Sequence, residues 1–333
     1  MYFLRKAFLL SAVLSIGILL FAQAKTPEDF GYRYIQTTFR GDPVDLLIKS
    51  KKGEEKIKKP LFLFFQGSQP QPLIKTDGAA SYSVFPFHTD SLAVFYHLVI
   101  IGKPYIPVIA DKKELGANMM YLDSAGNIPL NYAERNLLSY YTQRANHIIR
   151  YLQSLPFIDP RELIVAGHSE GSTISAEVAF TNKRVTHLIY SGGNPIGRIM
   201  NMIGPARFFE KDSSAQAENV FQLWEQATRE PEKINYGKGD TNKSLVEFSA
   251  PLLPRLLTLK IPVLVSYGSR DWCTPFNDYF RVECIRLKKK NIVFNTYIGT
   301  EHNYFPVDRE GNINYEAFNW NKVAGDWLKW LKK

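Results

Sequence analysis

Residues Leu163-Ile164-Val165-Ala166-Gly167-His168-Ser169-Glu170-Gly171 decide the reading of this chain. An apolar run, Glu162–Ala166, predicts a strand. Gly171–Phe180 predicts the helix that follows. Between them lies Gly-x-Ser-x-Gly, a pattern that is common by chance but specific between a strand and a helix. Small residues at Gly167 and Gly171 allow a sharp turn, so Ser169 projects above a sheet. The helix N-terminus then aims free N–H groups at negative charge developing beside it.

Outward from that turn, strand-like and helix-like runs alternate. Val44–Ile48, Pro60–Phe65, Phe95–Ile101, Val185–Tyr190, Ile261–Tyr267 and Asn291–Tyr297 predict strands. Helices are predicted over Asn131–Leu155, Asn277–Lys289 and Glu316–Leu331. Alternation of this kind predicts an α/β fold with a mostly parallel sheet and helices on both faces. Residues 194–260 break the rhythm and predict a helical cap insertion in a domain covering residues 25–333. Phe208, Phe209, Phe221 and Trp224 would either wall a pocket or pack the insertion onto the core. The long Gly67–Ser91 segment is expected at the pocket rim.

A serine nucleophile needs a base and an acid that orients the base. His187 and His302 follow Ser169. His187 lies inside a strand, whereas His302 follows the last strand in Gly299-Thr300-Glu301-His302-Asn303. Asp271, just past Ile261–Tyr267, is the expected acid, with Glu247 and Asp278 as rivals. The order Ser, Asp, His matches the chain order for an elbow of this type.

These residues resemble the α/β-hydrolase fold family, from about Val44 to the end of the chain. The 163–171 stretch looks like its nucleophile elbow, Gly268 with Asp271 and Pro275 like its acid loop, and His302 like its histidine loop. The nearest branch is that of dienelactone hydrolases and prolyl-oligopeptidase-like enzymes, although Ser172 stands where that branch often carries a second glycine. Gln66-Gly67-Ser68 occupies the place of the family's His-Gly pair. The resemblance implies an oxyanion hole made by the backbone N–H groups of Ser68 and Glu170. It also implies a serine hydrolase acting through an acyl-enzyme on a small-molecule or short-peptide substrate. Esters are the first reading and amides or peptides the second. A non-catalytic binding protein is a third reading, disfavoured because all three catalytic residue types are present in order.

Composition narrows the alternatives. Hydrophobic residues make up 45% of the chain and charged residues 22%, ordinary for a globular protein. The net charge of +9 is spread along the chain, dense only at Lys49–Lys59 and Arg286–Lys290, so no nucleic-acid partner is expected. There is no His-Glu-x-x-His or Cys-x-x-Cys cluster and no Gly-rich phosphate loop, so neither metal nor cofactor is implied.

Residues 1–24 read as a signal peptide. Arg5 and Lys6 precede the uncharged apolar run Ala7–Phe21, and Ala22-Gln23-Ala24 offers a cleavage site. The run falls short of the ~20 residues that span a bilayer. Export to a periplasm or medium is therefore expected, with no stable membrane anchor after cleavage. In an oxidising compartment Cys273 and Cys284 could pair or remain two separate thiols, and both readings stay open.

Overall fold

Strands that are apolar without interruption have no solvent-facing side, and the structure shows what covers both. The computed structural model describes residues 25–78, 80–235, 237 and 239–333; the segment read as a signal peptide lies outside them. Eight strands form one sheet: β1 (Arg33–Phe39), β2 (Asp42–Lys49), β3 (Lys59–Phe65), β4 (His97–Ile101), β5 (Ile158–His168), β6 (His187–Ser191), β7 (Val263–Gly268) and β8 (Ile292–Tyr297). Their order is β1-β2-β4-β3-β5-β6-β7-β8. β2 is antiparallel to both β1 and β4, and the remaining pairs are parallel.

Side chains alternate along a strand, so one apolar run feeds two cores. Leu61 and Leu63 of β3 join Val99, Val165, Leu188 and Val265 on one face. Phe62 and Phe64 join Leu98, Ile100, Ile164 and Ile189 on the other. The first face is covered by α1 (Leu138–Gln153), through Tyr141, Ile148, Ile149 and Leu152, and by α2 (Glu170–Thr181), through Ile174 and Val178. Each such fully buried side chain contributes about 1.5–3 kcal/mol. The second face is covered by α8 (Trp320–Leu331), through Trp320, Val323 and Trp327.

Residues 194–260 hold α3 (Arg198–Phe209), α4 (Gln216–Arg229), α5 (Asn242–Ser249) and α6 (Leu253–Thr258). Ile199, Ala227 and Leu245 form a small separate core there, joined by Trp224. Among the described residues no helix is long and apolar enough to cross a membrane.

Two expectations change, and one open question closes. The helix expected over Asn131–Leu155 is broken: a short turn, Leu130–Ala133, precedes α1. The backbone of Leu137 is extended, and Arg135 leaves the helical path to pair with Asp42 at 3.1 Å. The segment after β3 is not plain loop. Ile74–Asp77 lies between Ala80–Ser83 and Ile109–Asp111 in a second, three-stranded sheet.

Of the two readings left open for the cysteines, the structure has the separate thiols: both are free. The helix after the acid loop, α7 (Thr274–Arg286), begins directly after Cys273, and Cys284 lies within it. Eleven residues of helical rise separate them by roughly 16 Å, far beyond the ~7 Å limit for the Cα atoms of a disulfide. The Cys273 thiol instead donates to Asp271 Oδ2 at 2.9 Å.

Candidate active site

The parallel strands end along one edge, and the three predicted catalytic residues and the Gln66-Gly67-Ser68 turn follow strands there. Ser169 follows β5, Asp271 follows β7, His302 follows β8, and Gln66-Gly67-Ser68 follows β3. Ser169 has φ 57° and ψ −125°, a conformation that costs a non-glycine residue about 1–3 kcal/mol. Its surroundings impose that conformation. The Ser169 N–H donates to the Ser191 carbonyl at 2.9 Å. A Cβ at Gly167 would lie 2.0 Å from the Gly171 carbonyl oxygen, and one at Gly171 would lie 2.0 Å from that of Phe65. The two glycines let strand end, turn and helix start touch backbone to backbone.

His302 Nδ1 donates to Asp271 Oδ2 at 2.8 Å. Asp271 is buried and also accepts the Cys273 N–H at 3.2 Å. Burial alone would raise the Asp271 pKa, but the His302 hydrogen bond and charge outweigh it and hold the carboxyl below its usual value. For His302 burial acts downward, and Asp271 overcomes it and raises the imidazole above the ordinary histidine value. The two shifts describe one pair in which the positive imidazole is favoured. The rival acids are engaged elsewhere: Asp278 accepts the Tyr267 hydroxyl at 2.7 Å, and Glu247 accepts Ser139 at 2.8 and 3.0 Å. His187 is half-buried at the start of β6, its ring 5.7 Å from that of Trp330.

Asp271, Cys273 and His302 also hold donor atoms within 4.8 Å of one another, close enough for one metal ion. Burial, then Asp271, push the Cys273 thiol well above its usual range, so it keeps its proton. The three groups are joined by their own hydrogen bonds, which meet on Asp271 Oδ2.

Ser169 stands between two clefts. One, of about 410 Å³, is lined by His302, His168, Gly67 and Trp320. The other, of about 350 Å³, is lined by Ser68, Glu170, Asn136, Asn194, Arg198 and Asp240, among others. The Ser68 carbonyl accepts the Tyr132 hydroxyl at 3.1 Å. The backbone N–H groups of Ser68 and Glu170 meet no protein acceptor among the described residues. Neither Phe208, Phe209, Phe221 nor Trp224 lines these clefts. Phe208 and Phe209 stand exposed and stack on Trp272 with centroids 5.1 and 5.7 Å away. Pocket walls from the insertion come instead from Arg198, Asn201, Met202, Asp240 and Phe248. Ser68, Gln69 and Pro70 place the start of the Gly67–Ser91 segment at both clefts or one of them.

The side chain of Glu170 is the feature that the sequence conceals. It is buried and pairs with Lys103 at 2.7 Å and with Arg198. Arg198 also holds Asp240 at 2.6 Å, and its guanidinium lies 4.3 Å from the Phe248 ring centroid. Burial acts to neutralise Glu170, but the two cations outweigh it and lower its pKa. The only sequence signal was a lysine just after an apolar strand, at the same sheet edge as the elbow. Glu301, by contrast, braces its own loop by accepting the N–H groups of Asn303 and Phe305 at 2.7 and 2.9 Å.

No protein-family model matches the chain, and no curated protein is similar to it. Solved structures are similar. An acylaminoacyl peptidase of Pyrococcus horikoshii superposes with a TM-score of 0.52 at 13% identity, over 81% of this chain and 37% of that one. Est1E from Butyrivibrio proteoclasticus gives 0.51 at 15% identity, over 91% of this chain and all of that one (100%). The alpha/beta hydrolase GrgF from Penicillium sp. sh18 gives 0.52 at 12% identity, over 90% and 98%. The chain thus spans little more than a third of the peptidase's length. Identity this low speaks for architecture alone, and on that point the sheet order, the strained turn at Ser169 and the three superpositions agree: this chain has the α/β-hydrolase fold.

Proposed function

We propose that the protein is a serine hydrolase in which Ser169 attacks a carbonyl, His302 takes its proton and Asp271 holds the imidazole. The observation that carries the proposal is a strained, cleft-facing serine whose cleft also contains a histidine bonded to a buried carboxylate. Asp271 fixes the proton on Nδ1, leaving Nε2 as the base. The N–H groups of Ser68 and Glu170 receive the oxyanion. His302 must return its proton to the departing atom, so the leaving group belongs in the cleft that His302 lines. The acyl part then occupies the cleft of Glu170 and Arg198. Water completes the cycle by hydrolysing the acyl-enzyme.

Carboxylic esters with small, polar acyl groups are the proposed substrates. The acyl cleft holds Asn136, Asn194, Arg198, Asn201 and Asp240, which favour hydrogen-bonding groups over a long acyl chain. An aminopeptidase-like reading would need a free carboxylate for a substrate ammonium. Glu170 is committed to Lys103 and Arg198, and Asp240 to Arg198. Paired p-nitrophenyl esters and aminoacyl anilides should therefore differ by at least about a hundredfold in kcat/KM, in favour of the ester. An anilide preference would move the proposal to amide hydrolysis.

The raised imidazole sets the acid limb. His302 works as a base only when neutral, so kcat/KM should rise with pH through a value above the free histidine's ~6.5. Stability runs the other way. A group whose pKa is raised by folding stabilises the fold below its unfolded value, and that contribution is lost as pH rises through the folded value. Asp271, lowered by folding, stabilises above its unfolded value and loses this as pH falls. Parallel pH profiles of kcat/KM and of the urea midpoint check both signs. A kcat/KM limb below pH 6 would contradict the His302–Asp271 assignment.

Export remains part of the proposal, resting on Arg5–Lys6, the Ala7–Phe21 run and Ala22-Gln23-Ala24. N-terminal sequencing of the exported protein should begin at Lys25. Recovery of protein starting at Met1 would count against cleavage.

A further inference from the structure

Asp271 holds one nitrogen of His302, and that bond alone does not fix where the rest of the ring lies. The His302 side chain is 32% exposed, so it has room to swing. Against it lies a second imidazole. The His168 ring is 4.8 Å from the His302 ring, centroid to centroid, with 42° between the planes. Trp320 meets the His168 ring at a near right angle, 4.7 Å away. Gly192, at φ 55°, lets both rings rest on one stretch of backbone. A Cβ there would lie 2.6 Å from His168 Cε1 and 3.3 Å from His302 Cε1.

His168 is itself held. Its Nδ1 lies 3.0 Å from Ser191 Oγ, and Ser191 Oγ lies 2.6 Å from the Tyr304 hydroxyl. All three residues are buried. Ser191 ends β6, and its carbonyl accepts the Ser169 N–H. Tyr304 stands two residues after His302, in the same loop. Its φ of 65° is costly for a non-glycine residue. Its carbonyl accepts Asn319 Nδ2 at 2.9 Å, and its ring packs on Tyr297 and Trp320 at 4.9 and 4.8 Å. The trio thus ties the turn of the nucleophile to the loop that carries the base.

Counting protons gives this chain a direction. The Tyr304 hydroxyl has no other hydrogen-bond partner among the described residues, so it donates to Ser191 Oγ. Ser191 then donates to His168 Nδ1, and the proton of His168 sits on Nε2. The reverse direction would leave two buried groups unmatched, the Tyr304 O–H and the Nε2 lone pair. This direction leaves only the Nε2–H without a hydrogen bond. The side chain of Asn303, which lines the same cleft, acts on it. Burial first, and then the neighbouring His302, push the His168 pKa down to about 3, against the opposite pull of Asp271 and Asn303. His168 is therefore neutral wherever His302 works as a base.

We propose that Tyr304, Ser191 and His168 are positioning residues, a hydrogen-bonded trio that sets the His302 ring in its working place beside Ser169, with His168 as an uncharged wall. This inference rests on the serine-hydrolase reading above. When His302 takes the proton from Ser169, a neutral ring beside it leaves the new charge undisturbed, whereas a second imidazolium would repel it.

The experiment compares the parent with Tyr304→Phe, which removes only the hydroxyl, and His168→Ala, which removes both acceptor and wall. On a p-nitrophenyl ester, kcat should fall about tenfold in the first and about a hundredfold in the second, the scale of a ~1 Å misplacement, with KM within about twofold. Ser169, Asp271 and His302 are intact in both variants, so a fluorophosphonate should still label both to completion, only more slowly. Nitrogen-15 spectra of the parent should show His168 neutral, with its proton on Nε2, from about pH 5 to about pH 9. If either variant fails to fold, those spectra decide: a proton on Nδ1, or a titration of His168 in that range, would overturn the trio. Parental kcat in either variant, or a loss confined to KM, would overturn it and leave the hydrolase reading intact. A parent that takes no label would overturn both.

Discussion

Replacing Ser169 with Ala is expected to lower kcat by on the order of 10⁴- to 10⁶-fold, the loss seen when a nucleophile of this kind is removed. Ser169 is partly exposed and projects into both clefts. Its N–H bond to Ser191 belongs to the backbone and survives the change. Alanine meets the same penalty at φ 57° as serine. The variant should therefore unfold within about 2 °C of the parent and give no covalent adduct with a fluorophosphonate probe. Adduct formation at undiminished rate would mean another nucleophile and would remove Ser169 from the mechanism.

Replacing Glu170 with Ala should have the largest effect on stability, about 3–5 kcal/mol. That is the range for removing one partner of a buried ion pair, because the remaining charge is stranded. Here Lys103 is stranded outright and Arg198 loses one of its two carboxylates. The Lys103 side chain is 2% exposed and that of Arg198 15%. Lys103 reaches no other carboxylate among the described residues, whereas Arg198 keeps Asp240. A further change of Lys103 to Met should restore part of the loss by removing the orphaned ammonium. Urea unfolding of the single and double variants measures this coupling. A single variant as stable as the parent would show that the network contributes nothing net.

Much of this architecture could be read in advance because it is local. Pro60–Phe65 and Glu162–Ala166 are apolar on both faces since both faces are covered, and no other element type so short needs that pattern. Ser169, Asp271 and His302 were legible because each follows a strand, and parallel strands bring their C-terminal ends to one edge. Other features depend on distant partners. β1 alternates weakly because it lies at the sheet edge with one side in water. The apolar period runs on through Leu137 and Leu138, so nothing local announced the break that Arg135 makes toward Asp42. The cysteines were read with the helix starting at Asn277. Its true start at Thr274 places both along one axis and separates them. Glu170 meets Lys103 and Arg198 across 67 and 28 positions, a separation no local pattern encodes.

The thiol of Cys273 gives the proposed enzyme an unusual pharmacology. Its hydrogen bond ends on the same Asp271 oxygen that His302 uses. A mercurial on that sulfur would remove the proton from the bond and set a bulky soft cation beside the carboxylate, pulling Asp271 away from the imidazole. Access would be slow, because the residue is 1% exposed and its thiol resists ionisation. Inhibition would build over minutes and reverse with added thiol, the signature used to sort enzymes into the cysteine class. An inhibitor panel alone would thus misclassify a catalyst whose attacking atom is oxygen.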